Sequence, residues 1–145
     1  VCSSYYGCLV REEQAERKAA FDKLKAGLLD FIDQSAGDFF NGPHLGLVDC
    51  VLLPYAYRLY VLEHYRGPDF ALPTSGEGGK WEAYHAWLAR ALELPALKKT
   101  VPDKDRYLVH VKKYAEGKAR SKVGNAVRRG VSAHEYDDKV DGDEK

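Results

Sequence analysis

The chain has 145 residues, of which 45% are apolar and 30% are charged, a composition typical of one globular domain with a buried core. Basic and acidic residues number 22 each, so no net charge favours nucleic acid or an anionic membrane as a partner. No apolar run is long enough to span a bilayer, and three cysteines without metal-ligand spacing favour a reducing, cytoplasmic setting.

Two amphipathic helices are predicted in the first 35 residues. The first, over 1–10, has helically spaced apolar side chains at Val1, Tyr5, Cys8 and Leu9. The second, over 11–35, has a longer apolar stripe of Phe21, Leu24, Leu28, Phe31 and Ile32. Because the chain opens inside a helical pattern and without methionine, we expect the first helix, and anything before it, to be truncated.

A strongly specified helix start lies between residues 41 and 50. The breaker-rich stretch Asn-Gly-Pro precedes Gly46, which is the predicted N-cap residue. Asp49 follows at position N3, where its carboxylate can accept a hydrogen bond from the free Gly46 amide. Leu45 and Cys50 occupy the two positions of a hydrophobic staple, so we expect Cys50 to be a buried, small apolar side chain.

The helix that begins there is predicted to run over 47–65 and to be the centre of the fold. Its first sixteen residues contain only two charged side chains, Asp49 and Arg58, and an all-round apolar helix belongs inside a bundle. Pro54 should kink it near residues 50–54, since proline removes one backbone hydrogen bond. Arg58 is expected to pair with Asp49 or Glu63.

The residues around this helix start carry a family resemblance. The pattern F-x-G-x-x-L-G-x-x-D resembles the capping motif of the C-terminal all-α domain of glutathione S-transferases. Its residues here are Phe40, Gly42, Leu45, Gly46 and Asp49. The family usually has serine or threonine at the N-cap position that glycine occupies here, a difference that costs only a few tenths of a kcal/mol by general experience.

Two more helices are predicted downstream. The first, over 80–94, has apolar side chains at helical spacing, namely Trp81, Tyr84, Trp87, Leu88 and Leu92. After a short connector over 96–100, Asp103 should cap a helix whose stripe is Tyr107, Leu108, Val111, Tyr114 and Ala115. His110 lies near this stripe and is expected to be a satisfied core residue rather than a ligand.

The last quarter of the chain differs in composition. A basic block precedes an acidic one, which suggests a tail that folds back on the body or on a partner, with one short amphipathic turn at Val123, Ala126 and Val127. We therefore divide the chain into a bundle of about five helices over 1–118 and a charged extension over 119–145. The acidic block contains four side chains that lack recognised metal-ligand spacing, so no metal is expected: His134, Glu135, Asp137 and Asp138.

No catalytic motif is present in the sequence, and no catalytic residue is assigned. The resemblance implies that glutathione and its activating residue belong to an N-terminal thioredoxin-like domain, without which this chain is inactive. It implies that this domain supplies the electrophile pocket and part of a dimer interface. The candidate pocket residues are Tyr5, Tyr6, Leu9, Tyr55 and Arg58. The pattern is most similar to the omega-like and thiol-transferase branches, which use a cysteine for glutathione-dependent reduction.

Two other interpretations stay open. Domains that resemble glutathione transferases also serve as docking or structural modules in larger protein assemblies, and the charged tail favours that role for the chain as given. An unrelated helical bundle with a coincidental cap is the third possibility. Strands and a serine or cysteine preceding Val1 in a longer protein would favour the enzyme.

Overall fold

The computed structural model describes residues 1–119 and 121–131, and within these ranges the fold is all-α. Eight helices are present where about five were predicted, because the central helix divides and two short segments are also helical. The helices are α1 (Cys2–Val10), α2 (Gln14–Gln34), α3 (Leu47–Ala56), α4 (Tyr60–Arg66), α5 (Lys80–Leu92), α6 (Pro95–Thr100), α7 (Lys104–Ala115) and α8 (Lys122–Arg128).

The first two helices pack closely on each other. The structure confirms the apolar stripe of α2, whose Phe21, Leu24, Leu28 and Phe31 are buried, while Ile32 is half-buried. Gly7 of α1 faces α2 at a point where a Cβ atom would lie 3.1 Å from the Cβ of Ala20. The lack of a side chain at Gly7 therefore allows the two helices to approach closely.

The single helix predicted over 47–65 is two helices, α3 and α4, separated by the turn at residues 57–59. Pro54 lies inside α3, and the break comes one turn after it rather than at the predicted residues 50–54. The amide of Arg58 donates to the carbonyl of Tyr55 at 2.9 Å, a bond that spans three residues and tightens the chain. Gly67 ends α4, with a φ of 88°.

The central helix is not buried on every side, which corrects the expectation from its composition. One face of α3 packs inward through Leu52, Leu53 and Ala56. On the other face Leu47 is 78% exposed and Val51 is 55% exposed. Cys50 is also exposed, so the prediction that it would be a buried apolar side chain is wrong. Apolar composition indicated a core helix, but this short helix has neighbours along only part of its surface.

Asp49 joins the start of α3 to two other parts of the bundle. Its side chain is fully buried, and Oδ2 accepts the Gly46 amide at 2.9 Å, which is the predicted reciprocal half of the cap. Oδ1 accepts the Phe40 amide at 3.0 Å and the indole Nε1–H of Trp87 at 2.9 Å. The capping residue therefore also fixes α5 and the loop that precedes α3.

The C-terminal helices close the other side of the bundle. Trp81, Tyr84 and Trp87 of α5 are buried core aromatics, as predicted. Asp103 caps α7 by accepting the Arg106 amide at 2.9 Å, also as predicted. The turn predicted near Ala126 is α8, in which Ala126 is completely buried. The described part of the extension thus packs on the body, against α1 among other elements.

Candidate functional site

The largest group of sequence-predicted site residues meets in one cavity of about 450 Å³. Its walls come from α1, from the turn between α3 and α4, and from α7 and α8. Tyr5, Tyr6, Leu9 and Arg58 all line it. Tyr55, the fifth candidate, does not line the cavity; its ring packs edge-on against Tyr5 with centroids 6.0 Å apart. We call this space the α1–α7 cavity.

The sequence interpretation missed the wall that α7 and α8 supply. Tyr107, His110 and Tyr114 lie along one side of α7, and Ser121, Val123, Gly124 and Val127 come from the short last helix. Tyr107 and Tyr114 were assigned to a packing stripe, but their spacing with His110 was also a signal for a shared aromatic face. His110 is exposed at the cavity, so the expectation of a core histidine is wrong.

Arg58 brings a positive charge to the wall of this cavity. Its guanidinium carbon lies 5.0 Å from the centroid of the Tyr107 ring, a cation–π distance. The predicted ion pairs with Asp49 and Glu63 are absent from the described structure. The Asp49 carboxylate accepts from three other donors, and Glu63 forms no ion pair with any described residue. No carboxylate from residues 1–119 or 121–131 lines the cavity.

Tyr5 contributes a buried hydroxyl group to the same wall. The residue is 2% exposed, and its hydroxyl oxygen has no hydrogen-bond partner of normal geometry within the described ranges. Burial raises the pKa of Tyr5 far above its usual value, the nearby Tyr107 phenol raises it further, and Arg58 opposes both. The pKa of Tyr107 is also raised, chiefly by burial. Both phenols therefore stay protonated near neutral pH and can donate hydrogen bonds.

A second cavity, of about 310 Å³, lies on the other side of Arg58. Leu45 and Cys50, the predicted staple residues, both line it, together with Tyr57 and Pro102 among others. The hydroxyl of Tyr57 donates to the carbonyl of Pro102 at 2.7 Å, which ties this side of α3 to the start of α7. Arg58 lines both cavities, so the two neighbouring sites share its positive charge.

The part of the chain that the structure describes contains neither a cluster of metal ligands nor a membrane span. No group of three or more histidine, cysteine, aspartate or glutamate side chains is arranged there to hold a metal ion. The four side chains considered above as metal ligands lie outside the described residues: His134, Glu135, Asp137 and Asp138. Among the described helices, none is both long and apolar enough to cross a membrane.

The family of the chain follows from its fold and from a family model. Residues 10–90, more than half of the chain, match the model of the glutathione S-transferase C-terminal domain. The chain therefore belongs to this family, and its all-α architecture agrees with that membership. No curated protein and no solved structure matches the chain significantly.

The matched region covers the scaffold more than the cavity. It runs from the end of α1 to most of α5 and includes the Asp49 cap and Arg58. Tyr5, Tyr6 and Leu9 precede it, and the α7 and α8 walls follow it. Glutathione is the co-substrate that the family implies, whereas most residues that line the α1–α7 cavity lie outside the matched region.

Proposed function

We propose that this chain is the electrophile-binding domain of a glutathione-dependent transferase or thiol reductase, with the second substrate in the α1–α7 cavity. The observation that carries the proposal is that four of five residues chosen from the family resemblance line one cavity: Tyr5, Tyr6, Leu9 and Arg58. Ligand sites are concave, mostly apolar and aromatic, and hold a few convergent polar groups. The α1–α7 cavity has this character.

In this proposal glutathione is bound mainly by an N-terminal thioredoxin-like domain in the protein to which the chain belongs. That domain supplies the serine, tyrosine or cysteine that activates the thiol, so the chain alone is inactive. The cap pattern favours an omega-like or thiol-transferase branch, in which a cysteine reduces mixed disulfides. We further propose a cytoplasmic setting and a homodimer or larger assembly, because the family fold supplies part of a dimer interface.

Steady-state kinetics of that complete protein test the proposal. The assays are conjugation of glutathione to an activated aryl halide and glutathione-dependent reduction of a mixed disulfide. Tyr6, half-exposed in the cavity wall, is replaced by alanine; we expect the KM of the second substrate to rise about tenfold while the KM of glutathione is unchanged.

The matched control is Tyr57→Ala, which removes the same ring from the second cavity. If Tyr57→Ala raises the second-substrate KM and Tyr6→Ala does not, the site has been assigned to the wrong cavity. If the complete protein neither binds glutathione nor catalyses either reaction, the transferase proposal is wrong.

A docking or structural module is the second candidate, and the exposed face of α3 favours it. Leu47 and Val51 present apolar surface to solvent beside Val48 and Cys50. Contiguous exposed apolar side chains commonly mark a protein–protein contact. Sedimentation equilibrium compares the wild-type chain with Leu47→Asp/Val51→Asp: loss of self-association in the variant shows that this face is a contact surface, and identical molar masses exclude it as a self-association surface.

A further inference from the structure

The polar groups of the α1–α7 cavity indicate what kind of second substrate it takes. Two of them can serve a ligand: the half-buried Arg58 guanidinium has an aromatic face but no carboxylate among the described residues, and the buried Tyr5 hydroxyl faces the Tyr107 phenol without a hydrogen bond of normal geometry. A guanidinium without a carboxylate partner and a hydroxyl without a well-formed hydrogen bond are both stabilised by a ligand that supplies the missing acceptor.

Both groups donate hydrogen bonds, and both act on the same space. The positive charge of Arg58 is near enough to Tyr5 to lower the pKa of its phenol, against the effect of burial. Guanidinium carries several donors in a plane that matches a carboxylate, and a neutral phenol donates one more. The complementary ligand atom is therefore an acceptor that bears negative charge.

The rest of the wall is aromatic. The rings of Tyr5 and Tyr6 meet edge to face with centroids 5.4 Å apart, and Tyr107, His110 and Tyr114 continue along α7 with successive centroids 6.3 Å and 6.4 Å apart. Tyrosine rings favour offset or edge-to-face contact with another aromatic ring. A planar aromatic body fits this lining better than a flexible polar one.

We propose that the second substrate of this chain is a planar aromatic compound that carries a carboxylate or comparable anionic group, held by Arg58 and the Tyr5 hydroxyl. This inference rests on the proposed function, because it assumes that the α1–α7 cavity is the electrophile site. The inference adds that the second substrate is negatively charged, which the apolar lining of an electrophile site does not by itself indicate.

Binding to the intact chain tests the inference without any need for catalysis. Isothermal titration compares 2-naphthoate with 2-naphthamide, which has the same ring system and a similar size but no charge. We expect the wild-type chain to bind the carboxylate at least about tenfold more tightly than the amide. Arg58→Gln should abolish that preference, and Arg58→Lys should retain part of it. Tyr5→Phe should weaken the binding of naphthoate but not that of naphthamide.

Arg106→Gln is the matched control, since Arg106 is an exposed arginine of α7 that does not line the cavity. It removes the same charge and should leave both affinities unchanged. Circular dichroism establishes whether each variant is folded. If Arg58→Gln does not fold, Arg58→Lys still tests the role of the charge.

The outcomes separate this inference from the function on which it rests. Equal affinity of the wild-type chain for naphthoate and naphthamide overturns the anionic substrate and leaves the cavity as a ligand site. A carboxylate preference that survives in Arg58→Gln, or disappears in Arg106→Gln, also overturns it. If neither compound binds at millimolar concentration, the inference and the cavity's assignment as a ligand site both fail.

Discussion

Asp49 joins three separate parts of the described fold. It is fully buried and accepts three hydrogen bonds, from the Gly46 and Phe40 amides and from the Trp87 indole. Removing a buried acceptor costs more than the bonds themselves, because each donor that remains is desolvated and unpaired. Because Asp49 also holds a loop and a neighbouring helix, it should contribute more to folding stability than an ordinary N-terminal cap residue does.

We expect Asp49→Ala to lower the free energy of unfolding by about 2 to 4 kcal/mol, because it leaves one buried and two half-buried donors without a partner. Urea denaturation measures the change. Asp103→Ala is the control, since Asp103 caps α7 from an exposed position with a single bond to Arg106, and it should cost about 1 kcal/mol or less. Equal losses in the two variants would contradict the joining role of Asp49.

The cysteines should differ sharply in reactivity. Cys8 is completely buried, and burial raises the pKa of its thiol to about 12, whereas Cys50 is exposed. Thiolate is the reactive form, so a thiol reagent at pH 8 should label Cys50 in the native chain and leave Cys8 unlabelled until denaturant is added. Peptide mapping by mass spectrometry measures both sites. Labelling of Cys8 at the rate of Cys50 would mean that α1 is open to solvent.

At the scale of one residue, the sequence was informative where a local pattern has a local cause. Gly46 and Asp49 are in the predicted cap because N3 carboxylates reach the N-cap amide in any helix. The Trp87 bond to Asp49 links residues 38 positions apart, and no local pattern encodes such a contact. The same limit explains Arg58: candidate partners were sought within its own helix, and the partner is Tyr107 of α7.

At the scale of the helices, the break between α3 and α4 places Arg58 at the cavity. Pro54 lacks the amide that would bond to the carbonyl of Cys50, and the following residues tighten into bonds that span three positions. The prediction of one kinked helix came from apolar composition, which persists through residues 57–59. Composition locates a helical segment, but it does not reveal where a turn shifts to tighter geometry.

We expect Pro54→Ala to raise the free energy of unfolding by about 1 kcal/mol, because alanine restores a donor within α3 and Pro54 packs little of its exposed ring. Thermal and urea denaturation measure the change. Ala83→Gly, at an exposed position inside α5, is a control of known direction and should destabilise by about 1 kcal/mol. A loss of stability in Pro54→Ala would instead show that the proline ring holds the turn at residues 57–59.

Nearly every element could be predicted to be a helix from the sequence, but the exposure of α3 to solvent could not. Its apolar residues, including Leu47 and Val51, indicated burial on all sides, yet part of that surface faces solvent in the described structure. Hydrophobicity indicates that a surface is suited to contact, not which chain supplies the contact. Such a face is the expected place for a partner in both proposed functions.

At the scale of the whole molecule, buried weak acids should limit stability at alkaline pH. Burial raises the pKa of Cys8 from 9.0 to about 12 and that of Tyr60 from 10.0 to about 12, and it also raises the pKa of Tyr84. Their neutral forms are favoured in the folded state. The unfolded chain loses these protons first as the pH rises, so folding stability is complete below about pH 9 and falls towards pH 12.

Tyr60→Phe should make this fall shallower, because it removes one ionisation. The change should cost little at pH 7, since the buried Tyr60 hydroxyl has no hydrogen-bond partner in the described structure. Urea denaturation at pH 7, 9 and 10.5 measures the pH dependence in both proteins. A steeper decline in the variant, or no decline in the wild-type chain, would contradict the assignment.

Family membership accounts for the helical scaffold over residues 10–90, and the cavity completed outside that region accounts for the proposed selectivity. The matched region supplies the cap, the central helices and Arg58, while α1, α7 and α8 complete the aromatic wall. The wall escaped the sequence interpretation because its parts are up to about 120 positions apart, from Tyr5 to Val127, and only the folded bundle brings them together.

The most direct test of the central claim is a crystal structure of the complete protein, of which this chain is the proposed C-terminal domain, bound to an S-alkyl glutathione conjugate. We expect the alkyl group to enter the α1–α7 cavity and to contact the rings of Tyr6 and Tyr107 beside Arg58. An alkyl group in the second cavity beside Cys50, or a conjugate that does not bind, would contradict it.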